Sequence, residues 1–193
     1  MIDDRAYSFV FRGLLAEEAL DKAGRAAFRH IEGFSPEELS GDLSLAFIDE
    51  EFLVPARQMS LVYTAIAAFE NSVRSLVRKI LIESHEADWW MKAVPEGIRK
   101  KAESRQQEEK KIKWHSTRGG DLISFTDFGQ LQSVIVTNWT QFEAILQRQQ
   151  WVQHIFETME RSRNVIMHSG ELPREDVERI GICIRDWMKQ TGG

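Results

Sequence analysis

The chain has 193 residues, 42% of them hydrophobic and 28% charged, a globular composition with enough length to bury a core without metals or disulfides. Its single cysteine, Cys183, excludes an intramolecular disulfide and a thiolate zinc site, and no basic segment followed by an apolar one opens the chain as a signal peptide would. A net charge of −5 argues against duplex binding through the whole surface, and no uninterrupted apolar run approaches the roughly 20 residues that cross a bilayer. A cytoplasmic location without membrane contact is therefore expected.

Only 4 prolines, with abundant Ala, Leu, Glu, Gln, Lys and Arg, favour helices. Residues 3–29 carry Phe9, Phe11, Leu14, Leu15, Leu20 and Phe28 among charged residues, which predicts one or two amphipathic helices. Gly33-Phe34-Ser35-Pro36 reads as a turn and Ser40-Gly41-Asp42 as a loop. Pro55 suits the first turn of a helix, where its missing N–H is harmless. From Met59 to Ile82, apolar residues from Leu61 to Leu81 recur at three- and four-residue spacing. That pattern predicts a long helix running through the middle of a bundle.

Val94-Pro95 interrupts the segment opened by Trp89-Trp90, because a residue before proline resists the α region. Residues 96–113 are polar and helical by propensity, and Gly119-Gly120 closes that segment. Thr126-Asp127 precedes the apolar-periodic Leu131, Val134, Ile135 and Trp139, and Thr140-Gln141-Phe142-Glu143 has the spacing of a capping box. Trp151, Val152, Ile155, Phe156, Met159, Ile166 and Met167 form a further stripe, ended by Ser169-Gly170. Pro173 opens a last helix with Val177, Ile180, Ile184 and Trp187 on one face. No segment sustains period-two alternation. The fold class predicted is all-α, a bundle of five to seven helices with one long central helix.

The sharpest chemical candidate is Arg163-Asn164-Val165-Ile166-Met167-His168. Spacing alone is weak, since chance yields about 0.4 Arg-x4-His matches in this composition, and Arg25 and His30 form a second one. Context favours the later copy. Arg163 falls in register with Val152, Phe156 and Met159, where a helix buries apolar groups, so its charge needs a partner or a cleft. Asn164 and His168, four apart, share a helix face. Arg163 and His168 point about 140° apart on an ideal helix, so a cleft assembled from two copies converges them more easily than one helix does. The plain alternative is a surface pair at a helix end.

Two more groups stand out. Glu70 and Arg74 are an i, i+4 pair, either an ordinary ion pair or a brace for Arg163 or His168. Residues 99–118 hold eight cationic side chains against three carboxylates in a chain of net −5. Within that run Lys110, Lys111, Lys113, Trp114 and Arg118 interleave cations with an aromatic, a pattern that suits single-stranded RNA. A solvated helix face is the alternative. Asp127-Phe128-Gly129 lacks the companion signatures of a kinase, and the histidines show no metal-ligand spacing.

The Arg163-Asn164-x3-His168 motif, with Glu70-x3-Arg74 upstream, resembles the HEPN domains. Trp89-Trp90, Val94-Pro95 with Ile98-Arg99, Asp127-Phe128-Gly129 with Leu131, and Asp186-Trp187 are similar to a HEPN branch linked with RNA processing and phage defence. The resemblance covers roughly residues 55–190. A HEPN-like helical domain is expected over 51–193, and residues 1–50, which lie outside the match, are expected as a helical extension packed on it. The resemblance implies a metal-independent endoribonuclease that cleaves single-stranded or loop RNA at a dimeric active site without cofactors, of a toxin or anti-phage type. Arg163, Asn164 and His168 would then be catalytic and Glu70 and Arg74 supporting. Expected partners are RNA, a second copy of the chain, and an antitoxin or other protein. The alternative is a non-catalytic HEPN module that binds RNA, nucleotide or a partner protein. The residue chemistry fits cleavage: imidazole titrates near neutrality, and guanidinium offers a permanent bidentate clamp for phosphate.

Overall fold

The structure, a computed structural model, describes residues 35–192; the helices expected over 3–29 and the Gly33-Phe34 part of the first turn lie outside the described residues. The chain divides into two compact units, residues 1–53 and 54–193.

In the first unit, α1 spans Pro36–Asp42 and a 3-10 turn spans Leu45–Phe47. The Ser35-Pro36 turn signal is a helix start. The Ser35 hydroxyl accepts from the Glu38 N–H at 3.1 Å, and the Glu38 carboxylate accepts from the Ser35 N–H at 2.7 Å. Pro36 tolerates the first helical position because no N–H is needed there. Ser40-Gly41-Asp42, expected as a loop, is the last turn of this helix.

The long helix, α2, runs Glu50–His85 and so begins earlier than the apolar periodicity suggests. Pro55 lies inside it rather than in its first turn, and its missing N–H removes one bond from the helical ladder. Ile66, Val73, Val77 and Leu81 are completely buried along one face, which makes this helix the centre of the core. Glu50–Ala93 also contains an 18-residue window of mean hydropathy 1.3, long and apolar enough to cross a membrane by length and composition. Polar residues such as Arg57, Gln58 and Glu70 interrupt the stretch, so no unbroken apolar run marks it in the sequence.

After α2 come α3 (Trp89–Ala93) and α4 (Glu96–Lys111), separated at the extended Val94 before Pro95 as the sequence predicts. A connection over 112–121 leads to a 3-10 turn, Leu122–Phe125, and then to α5 (Phe128–Thr137), α6 (Trp139–Leu146), α7 (Gln149–Met167) and α8 (Arg174–Thr191). From Glu50 onward this makes seven α-helices, and the described residues contain no strand. The predicted all-α bundle is what the chain forms.

Thr140-Gln141-Phe142-Glu143 is not a capping box. Helix α6 already begins at Trp139, and Thr140 bonds the Gln141 side chain instead. The preceding Asn138 turns its amide to the carbonyls of Ala93 and Val134, at 2.8 and 2.7 Å. The box forms one helix earlier, where the Asp127 carboxylate accepts from the Gln130 N–H and the Gln130 side chain accepts from the Asp127 N–H.

Helix α7 packs on α5, α6 and α8. An aromatic cluster joins four helices: Phe69 meets Trp187 edge-on at 5.6 Å, Phe128 meets Phe156 at 5.7 Å, and Trp151 stacks on Trp187 at 5.7 Å. Cys183 is buried beside this cluster, and burial pushes its thiol above the ordinary range.

Candidate functional site

Helix α7 carries the motif on its last turns, and the way it ends places His168. The Gly170 N–H donates to the Val165 carbonyl at 2.9 Å and the Ser169 N–H to the Ile166 carbonyl at 3.0 Å, the paired bonds of a Schellman ending. Ser169 takes the left-handed conformation, φ 60°, that glycine usually supplies. The glycine comes one residue later for another reason. A Cβ on Gly170 would lie 2.7 Å from Val165 Cγ1 and 3.0 Å from the Val165 carbonyl oxygen. His168 is thus the last residue before the chain turns away, and its side chain is exposed.

Arg163 projects from the opposite side of α7 into a cleft of about 630 Å³. Four guanidinium groups line that cleft, from Arg74, Arg105, Arg118 and Arg163, against two carboxylates, Glu70 and Asp127. Glu70 is only 7% exposed. One carboxylate oxygen pairs with Arg74 at 2.5 Å, and the other faces Arg163 Nε at 3.9 Å. The upstream pair therefore does more than stabilise its own helix turn, because it reaches Arg163 across the bundle. Burial pushes the Glu70 carboxyl above its ordinary range, against the opposing pull of Arg74 and Arg163. Burial likewise lowers Arg74, against Glu70.

Two arginines from two helices hold the rim. Arg74 on α2 donates to the Thr126 carbonyl at 2.8 Å, and Arg105 on α4 donates to the neighbouring Phe125 carbonyl at 2.7 Å. Arg105 also meets Asp127 at 3.3 Å. Charge-assisted bonds to backbone acceptors are among the stronger ones available, so residues 125–127 form a fixed wall. Arg163 differs from these neighbours. Its one polar side-chain contact among the described residues is the distant one to Glu70, so most of its donors face the open cleft.

Asn164 and His168 line a second concavity with Glu157, Glu160, Arg161 and Val165. Neither Asn164 nor His168 has a side-chain partner among the described residues, so their polar atoms remain open to a ligand. One chain thus keeps the motif on two surfaces and does not bring Arg163 and His168 together, as the helical angle predicts. Of the basic run, Arg118 enters the Arg163 cleft. Lys110, Lys111, Lys113 and Trp114 lie exposed on the end of α4 and the connection after it. Arg105, Thr126 and Asp127 also build the cleft, although only Arg105's charge and the helix start at Asp127 stand out in the sequence. Among the described residues, no three His, Cys, Asp or Glu side chains gather as metal ligands would.

The family model for Swt1-like HEPN matches residues 64–192, from within α2 to the end of α8. The chain belongs to the Swt1-like HEPN family. No curated protein and no solved structure matches it. The HEPN assignment makes this an RNA-related module, from a family that often dimerises and includes many ribonucleases. The matched part of this HEPN chain contains Glu70, Arg74, Arg163, Asn164 and His168 together with every lining residue of the cleft except Tyr63.

Proposed function

We propose that the protein is a metal-independent endoribonuclease that acts as a homodimer on single-stranded or loop RNA. The observation that carries this reading is the division of the motif. Arg163 opens on one surface of α7 and Asn164 with His168 on another, each with its polar atoms available. Pairing two copies about a two-fold axis supplies both halves to one composite cleft.

The chemistry then follows from the side chains. The ribose 2′-oxygen attacks phosphorus, and the bond from phosphorus to the 5′-oxygen breaks. One imidazole takes the 2′ proton, and a protonated imidazole gives a proton to the leaving 5′-oxygen; the products are a 2′,3′-cyclic phosphate and a 5′-hydroxyl. Two copies supply two His168 side chains for these two roles. Arg163 clamps the phosphate and stabilises its developing charge, and Asn164 orients the imidazole or the phosphate. Glu70 and Arg74 act through Arg163 as positioning residues. A role as toxin or anti-phage effector, with an antitoxin or other protein as partner, fits the same activity.

The test is cleavage of total tRNA and of a mixed single-stranded RNA pool by purified protein in EDTA, wild type beside His168→Ala. Cleavage by the wild type that vanishes in the variant is expected. Equal cleavage by both proteins overturns the assignment, and cleavage by neither points to a module that binds RNA, nucleotide or a partner protein.

A further inference from the structure

The connection over 112–121 is pinned at its far end and open at its tip. Arg118 is held twice by Glu109, through its backbone N–H at 3.0 Å and its side-chain Nε at 2.6 Å. Its guanidinium also lies over the Phe125 ring at 5.9 Å. The Gln106 amide donates to the Gly120 carbonyl at 3.3 Å, and Asp121 pairs with Arg78 on α2. Gly119 adopts φ 135°, a conformation that a side chain would strain, so the chain bends there at a fixed point. These anchors aim Arg118 into the cleft that holds Arg163.

The tip carries the unusual residue. Trp114 is 85% exposed, whereas Trp89, Trp90, Trp139 and Trp151 are half-buried and Trp187 is buried. An indole left in water this fully is a costly surface, and a tryptophan with no packing role is a candidate for contact. The His115 ring stands edge-on to it at 5.7 Å, which supports the indole on one side. Lys110, Lys111 and Lys113 precede it in sequence, all exposed. Arg118 is four positions after Trp114, so the two lie at most about 14 Å apart along the chain.

We infer that Trp114 is a stacking platform for an unpaired nucleobase of the RNA whose phosphate lies in the Arg163 cleft, with Lys110, Lys111 and Lys113 meeting the flanking phosphates. The inference rests on the RNA reading above and adds a determinant of its specificity. A flat aromatic among cations takes any base that is free of a duplex, so the arm selects single-stranded RNA over paired RNA without reading sequence. Arg118 couples the arm to the cleft, and Glu109 acts on it as a positioning residue.

The experiment measures binding of a fluorescent single-stranded RNA of about twelve nucleotides to the full chain, with His168→Ala as the background that suppresses cleavage. The same measurement uses a strand of equal length with abasic sites and a duplex of the same sequence. Trp114→Ala should weaken binding of the ordinary strand about tenfold and leave the abasic strand unaffected, while Trp114→Phe stays within about threefold. Lys113→Ala should weaken binding of both strands and reduce the salt dependence. Unchanged affinity in Trp114→Ala overturns the inference. So does an equal loss on ordinary and abasic strands, or binding by none of the proteins. Cleavage by the wild type is a separate readout. Base-dependent binding without cleavage keeps the arm and removes the nuclease, and cleavage with binding indifferent to Trp114 does the reverse.

Discussion

The two faces of α7 are built on different plans. Towards the cleft, Arg163 stands among side chains already committed to one another: Glu70 to Arg74, Arg105 to Asp127, Arg118 to Glu109. On the other face, Asn164 and His168 are exposed, and only the backbone geometry of the helix end fixes where they stand. The cleft face is preorganised by contacts from distant parts of the chain, and the His168 face by the local backbone of residues 165–170. Under the proposed function, one half of the site depends on tertiary packing and the other on a helix terminus. Damage to each half should therefore read out differently.

The largest effect should come from single variants, alone and mixed with wild type. Arg163→Ala and His168→Ala should each be inactive alone. A cleft that needs both imidazoles is broken in every mixed dimer, so equal amounts of wild type and His168→Ala, re-equilibrated, should keep about a quarter of the cleavage of wild type at the same total concentration. Cleavage assays on the mixture check this, and retention of half the cleavage would break the requirement for both copies of the His168 face.

Glu70 tests the cleft face. Glu70→Ala leaves Arg74 and Arg163 without their carboxylate and should cost about 3 kcal/mol in urea unfolding. Glu70→Gln sharpens the electrostatic part. Burial raises the native carboxyl above its unfolded value. Its contribution to stability is therefore complete below the ordinary glutamate range and falls as pH rises through the raised native value. Wild type should lose stability relative to Glu70→Gln as pH rises above the ordinary glutamate range, and parallel profiles there would contradict the burial effect.

Gly170 tests the other face, with a smaller expected effect. The added methyl of Gly170→Ala meets Val165 on both its side chain and its carbonyl, so the helix end must shift. A loss of about 1–2 kcal/mol is expected from thermal unfolding, with cleavage reduced further than stability alone explains because His168 moves with the turn. The same substitution should leave binding at the Arg118 arm unchanged, which separates the two faces.

Much of this is legible in the amino-acid sequence. The central helix, the break at Val94-Pro95 and the end at Ser169-Gly170 are local, set by apolar spacing, by proline's effect on its neighbour and by a glycine at a crowded turn. The separation of Arg163 from His168 follows from helical geometry alone. The contact from Glu70 to Arg163 does not, because 92 residues lie between them and nothing in a spacing rule bridges that distance. The roles of Arg74 and Arg105 were hidden for another reason: they bind backbone carbonyls, and a carbonyl has no side-chain signature to search for. The Thr140 box failed because Asn138 was drawn to Ala93, a contact made by the packing of α3 against the neighbouring turn.

The arginines on the Phe125 and Thr126 carbonyls also bear on where the backbone could be severed. Two neighbouring stretches lack long helix, but residues 125–127 have their carbonyls or side chains engaged, whereas Lys111 and Lys113 offer tryptic sites along an exposed run. A nick would fall at the open tip. The pieces on either side would stay joined through Arg74, Arg105 and the contacts of Phe69 with Phe128 and Trp187. In that sense the bundle is already two complementary fragments, and the covalent link across its tip is left free to serve as an arm.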